Sequence, residues 1–130
     1  MSILKKNIKI NNENNEAIRE LSLNYYEKFG IKGIISELTE KYSFIKEIIL
    51  YGSKARGDFL EDSDIDLLFV TEGKVLTQLK FQIYDIIYNY ELLNDILVSV
   101  VFVSASDFRN KVNTFFMKIK EEGITLWLRE

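Results

Sequence analysis

Residues Ile48 to Val70 read IILYGSKARGDFLEDSDIDLLFV, and the fold turns on how this stretch divides. It opens with the apolar run Ile48-Ile49-Leu50-Tyr51, β-branched and aromatic as a buried strand requires. Gly52-Ser53 breaks the run, a polar segment follows, and a second apolar run is led by two carboxylates, Asp64 and Asp66. Side chains at i and i+2 of a strand share a face, so the two acids are expected side by side. Carboxylates held together at neutral pH repel, and a divalent cation is the usual relief. A small Gly-Ser turn between strand and helix can aim backbone N–H groups at a phosphate. The segment reads as one site for a metal-bound polyphosphate.

The chain has 130 residues, enough for one domain with a modest core and too few for a second substantial one. Hydrophobic residues make 47% and charged residues 28% of it, the composition of an ordinary soluble globular protein. Its net charge of -3 argues against broad electrostatic attraction to nucleic acid, so direct nucleic-acid binding is not expected. There is no cysteine, which excludes disulfides and thiolate metal sites. Histidine is absent too, which excludes imidazole acid–base chemistry and His-ligated zinc. A metal must then be held by oxygen, which favours Mg2+ or Mn2+. No stretch is long and apolar enough to span a membrane, and the first residues lack a secretory apolar run, so a cytoplasmic location is expected.

Gly-Ser, ten residues, then Asp-Ile-Asp resembles the signature of the polymerase-β-like nucleotidyltransferase superfamily. The wording Gly52-Ser53-Lys54-Ala55-Arg56-Gly57-Asp58, followed by Ser63-Asp64-Ile65-Asp66-Leu67, resembles its minimal nucleotidyltransferase branch, and so does the closing EEGITLW. The resemblance spans roughly Ile31 to Trp127. It implies an α/β (α+β) domain in which a small mixed sheet is flanked by helices. It implies Mg2+, two ions in the usual arrangement, with ATP as the substrate. Asp64 and Asp66 then hold the metal, Gly52 admits close backbone approach, and Ser53 touches the triphosphate. Arg56 is either a phosphate ligand or a fixer of its own loop through an internal ion pair. The family draws a third carboxylate from a neighbouring strand, as metal ligand and general base. Asp95 in D-x-x-V-S matches that position, although an ordinary turn aspartate explains it equally well. Lys54 is expected in solvent, and Asp58, Glu61 and Asp62 in an exposed loop.

Residues 1–15 mix Lys, Ile and Asn without periodicity and read as a loose arm, in which Ile8 and Ile10 could form a short edge strand. Helical spacing of Ile18, Leu21, Tyr25 and Phe29 predicts a helix from Glu16 to Phe29, punctuated by Gly30. A second helix follows with Ile31, Ile34, Ile35, Leu38 and Tyr42 as its stripe. Tyr25 and Tyr26 are assigned to packing or an interface rather than to base stacking. Strands are predicted at 45–51, 64–71 and 96–103, with a helix over 74–92 between the last two. Ser104 is the predicted N-cap of a helix through Lys120 that presents Phe108, Val112, Phe115, Phe116 and Ile119 to the sheet. Gly123 is placed as its C-cap, and 124–128 as an added strand or a docking segment.

The leading expectation is transfer of a nucleoside monophosphate, AMP from ATP, to a hydroxyl with release of pyrophosphate. Little chain is left for an acceptor pocket, so the acceptor is a macromolecule, or is held by a partner or a second copy. The resemblance implies an antitoxin whose partner is a HEPN-type toxin and whose acceptor is a tyrosine of that toxin. Two alternatives stand beside it: a binding antitoxin with a vestigial nucleotide site, and a small-molecule nucleotidyltransferase of the antibiotic-modifying kind.

Overall fold

The computed structural model describes Ile18 and residues 21–60 and 62–130. The expected N-terminal arm, the pairing of Ile8 and Ile10, and Glu61 lie outside these residues. The first helix, α1 (Tyr25–Lys41), starts at a complete capping box. The Asn24 side chain accepts from the Glu27 N–H at 2.8 Å, and the Glu27 carboxylate accepts from the Asn24 N–H at 3.0 Å. α1 runs through Gly30 without interruption, where two helices were expected. Gly30 is not a stop signal but a point of close approach. A Cβ there would collide with the Ile96 side chain, and one on Gly33 would collide with the Tyr90 ring. The capping box starts α1 at Tyr25, and Tyr25 and Phe29 are exposed rather than core. Ile31, Ile34, Ile35 and Leu38 form the buried stripe as expected.

β1 (Ile45–Tyr51) leads to a one-turn helix, α2 (Ser53–Arg56), and then to β2 (Ile65–Thr71). α3 (Thr77–Asn94) crosses back to β3 (Val98–Ser104). The sheet order is β3-β2-β1-β4, with β2 and β3 parallel and the other two pairings antiparallel. It is the expected small mixed sheet flanked by helices.

Where one helix was expected after β3 there are two, α4 (Ala105–Asn110) and α5 (Thr114–Glu122). Ser104 does cap the first, accepting from the Asp107 N–H at 3.1 Å. Asn113 then restarts the backbone by accepting from the Phe116 N–H at 2.8 Å. Val112 lies in the break and is 84% exposed, against its expected place on the sheet. Gly123 ends α5 in an extended conformation, and β4 (Ile124–Leu128) pairs with β1 as an edge strand. Trp127 of β4 is fully buried, with the Arg129 guanidinium 4.6 Å above its ring. Arg129 donates to the carbonyls of Thr39 at 2.7 Å and Ile45 at 2.8 Å, fastening the edge strand to the corner between α1 and β1.

Period two along the strands sorts side chains between two layers. Ile48, Leu50, Ile65, Leu67 and Phe69 join the main core under α1 and α3. Ile49, Leu68, Val70 and Val103 form a smaller cluster with Ile119, Phe108 and Phe116 of α4 and α5. Asp66 has the parity of Leu68 and Val70, so it lies on this second face. Among the described residues, no helix is long and apolar enough to cross a membrane.

Candidate active site

The site is built where β1 ends and β2 begins, because antiparallel pairing places Tyr51 opposite Asp66. Gly52 follows Tyr51 with φ 76° and ψ -159°, a backbone state that L side chains rarely adopt. It also lies directly against Asp66: a Cβ on Gly52 would fall on the Asp66 carboxylate oxygen. Glycine is required here twice, for the turn and for the carboxylate behind it. The turn of α2 closes with the Ala55 and Arg56 N–H groups on the Gly52 carbonyl, both at 3.1 Å. Gly57 ends it in the left-handed region, φ 87°. Ser53 is half-buried at its start, where the first N–H groups of a helical turn have no intrahelical acceptor.

Asp64 is exposed just before β2, and Asp66 is half-buried one strand repeat further on. Burial, then the Asp64 charge, pushes the Asp66 carboxyl above its ordinary value, and the Arg56 guanidinium offsets part of this. Burial followed by the Asp66 charge likewise raises the Tyr51 hydroxyl. The Asp64 charge thus reaches the Asp66 carboxyl, as expected of two acids one strand repeat apart. Arg56 forms the internal ion pairs, with Asp58 at 3.1 Å and Glu122 of α5 at 3.4 Å.

Lys54 is not in solvent as expected. Its side chain is 1% exposed and its ammonium lies 2.7 Å from Glu27, with the Phe59 ring 4.2 Å away. Glu27 thus uses one carboxylate oxygen to cap α1 and the other to hold α2. Sequence reading missed this residue; its signal is the capping-box pattern Asn24-x-x-Glu27. Asp58 and Asp62 are exposed, as expected of that loop.

Asp95 ends α3 in the left-handed conformation, φ 53°, exposed beside Asn24, Tyr26, Leu93 and Asn94. Among the described residues, no group of three acidic side chains is placed to hold a metal ion, so Asp95 does not join Asp64 and Asp66 in such a group. The parallel register instead sets Ser99 opposite Asp66 on the same face of the sheet. Oxygen donors from two carboxylates, with phosphates and water completing the shell, still suit Mg2+, which is often held that way.

A cleft of about 490 Å³ opens beside the turn, lined by Tyr51, Gly52, Arg56 and side chains of α5. A larger one of about 760 Å³ lies at the far end of the sheet, between Thr71 and Ser104, away from these carboxylates.

A family pattern described as a nucleotidyltransferase domain matches residues 31–125. The chain belongs to the nucleotidyltransferase domain family. A Methanocaldococcus jannaschii protein named as a candidate protein adenylyltransferase is 35% identical over 104 residues, covering 78% of this chain and 98% of that one. A second protein of the same organism and kind of name is 39% identical over 57 residues, 44% of this chain and 58% of that one. Among solved structures, a chain of a toxin–antitoxin complex with AMP-PNP shares the fold with TM-score 0.56 and 19% identity, over 75% of this chain and 73% of that one. A chain of a mutant MntA–HpeT toxin–antitoxin complex gives TM-score 0.55 and 18% identity, over 75% and 72%. The Gly52–Asp66 segment lies within the residues that the family pattern matches.

Proposed function

We propose that this nucleotidyltransferase moves AMP from magnesium-bound ATP onto a tyrosine of a HEPN-type toxin, as the cytoplasmic antitoxin of a toxin–antitoxin pair. The observation that carries the reading is the seating of the Gly52 turn against Asp66, with Asp64 beside it. One small volume thereby combines a phosphate turn and a cation site. The first relative's name, shared over nearly its whole length, supports protein as the acceptor.

In the reaction, the acceptor hydroxyl oxygen bonds to the α-phosphorus, and the bond from that phosphorus to the bridging oxygen breaks. Pyrophosphate leaves, and the hydroxyl proton passes to a carboxylate or water. Gly52 and Ser53 hold the triphosphate, Arg56 balances its charge, and Asp64 and Asp66 hold the cation. The cation supplies Lewis-acid stabilisation of the transferring phosphoryl group. For the third position the motif indicates Asp95, whereas register sets the neutral Ser99 hydroxyl, a donor and not a base, opposite Asp66. Asp95→Asn should lower transfer at least tenfold.

One observation favours the second reading, a binding antitoxin with an idle site: only two carboxylates meet among the described residues. Neutralisation of the toxin in cells separates the two. The catalytic reading expects the Asp64→Asn/Asp66→Asn variant to lose protection while still forming the complex; full protection by that variant would establish the binding reading.

A further inference from the structure

We propose that the cleft between the end of β1 and α5 is the seat of the nucleobase of the triphosphate. This deepens the nucleotide reading and rests on it. The cleft is continuous with the phosphate turn, because Gly52 and Arg56 line both. Its volume of about 490 Å³ falls within the roughly 300–1,000 Å³ of small-molecule sites. One wall is aromatic: Tyr51 and Phe115 meet edge to face with centroids 5.5 Å apart. The floor is the buried Ile119, and the rim carries Lys118 and, one helical turn on along α5, Glu122, which Arg56 holds at 3.4 Å. Aromatic faces with donors and acceptors at the edge are what a planar heterocycle needs, stacked on its face and hydrogen-bonded along its rim.

Two other clefts do not offer this. The one at the far end of the sheet has no residue in common with the phosphate turn. The one on α3 carries Asp85 and Glu91 beside Tyr84 and Tyr88, and lies on the opposite face from Asp66. Phe115, expected on the stripe that packs on the sheet, is instead 44% exposed and outside the cluster that Phe108, Phe116 and Ile119 form, which leaves its ring available to a ligand. The break between α4 and α5 produces this placement, since Asn113 restarts the helix one residue before the cleft begins at Thr114.

The test is calorimetric binding of Mg-ATP and of Mg-tripolyphosphate to the full chain and to its Phe115→Ala and Phe115→Trp variants. Tripolyphosphate reports the phosphate and metal site alone. Removal of one stacking ring should weaken Mg-ATP about 10-fold and leave Mg-tripolyphosphate unchanged, with the Phe115→Trp variant restoring ATP affinity. Equal losses for both ligands, or no loss for ATP, would overturn the base pocket. Equal affinity of the wild type for both ligands would overturn it while leaving the phosphate site standing. A wild type that binds neither would overturn the nucleotide reading itself.

Discussion

Asp66 is constrained from three sides: Gly52 lies against it, Asp64 repels it, and Tyr51 stands across the strand pair. Gly52→Ala should therefore do double damage. The backbone state alone costs about 1–3 kcal/mol, and the added Cβ displaces the carboxylate. Thermal melts should show the first effect, and loss of Mg-ATP binding by calorimetry the second. Asp66→Asn should act in opposite directions on stability and function. A carboxyl raised above its ordinary value contributes stability that fades as pH rises through that raised value. At neutral pH the ionised Asp66 is accordingly a cost to the ligand-free fold. The neutral amide should raise the ligand-free Tm, while Mg-ATP no longer shifts it. The local geometry around Gly52, Ser53, Asp64 and Asp66 was legible because it falls within one short stretch: a turn, then period two. The third position was not legible in this way. Whether Asp95 or Ser99 stands near Asp66 depends on how β3 slides along β2, and side chains distant in sequence set that register.

At the scale of elements, punctuation residues misled where tertiary packing overruled them. Gly30 was read as a stop and proved to be a contact point for Ile96, inside a helix held by its capping box and buried stripe. The opposite error fell on residues 111–113. There, helical spacing of Phe108, Val112 and Phe115 concealed a second N-cap, Asn113. The Lys54–Glu27 pair is the element-scale feature with the clearest consequence, since it ties the phosphate turn to α1. Breaking a buried pair from one side leaves a charge without compensation. Glu27→Ala should cost about 3 kcal/mol in urea denaturation, including its lost cap. Glu27→Gln combined with Lys54→Met should recover most of that, because no buried charge remains. Equal losses in the two variants would contradict a charge-based origin.

For the molecule as a whole, the sheet is asymmetric by design of its parity: α1 and α3 cover one face with the main core, and α4 and α5 partly cover the face that carries Asp66. Edge strand β4 closes the structure through Trp127. Its truncation to Ala should cost about 3–5 kcal/mol, a large share of the stability of a domain this size. Trp127→Phe should cost much less, since the buried indole N–H has no hydrogen-bond partner among the described residues to lose. Urea midpoints of the two variants check this. The most direct measurement of the proposed transfer uses ATP labelled at the α-phosphate, with Mg2+ and the proposed toxin partner. Label should appear on a tyrosine of the partner with wild type and be lost with Asp64→Asn/Asp66→Asn. An unlabelled partner in a stable complex with the wild-type chain would contradict it.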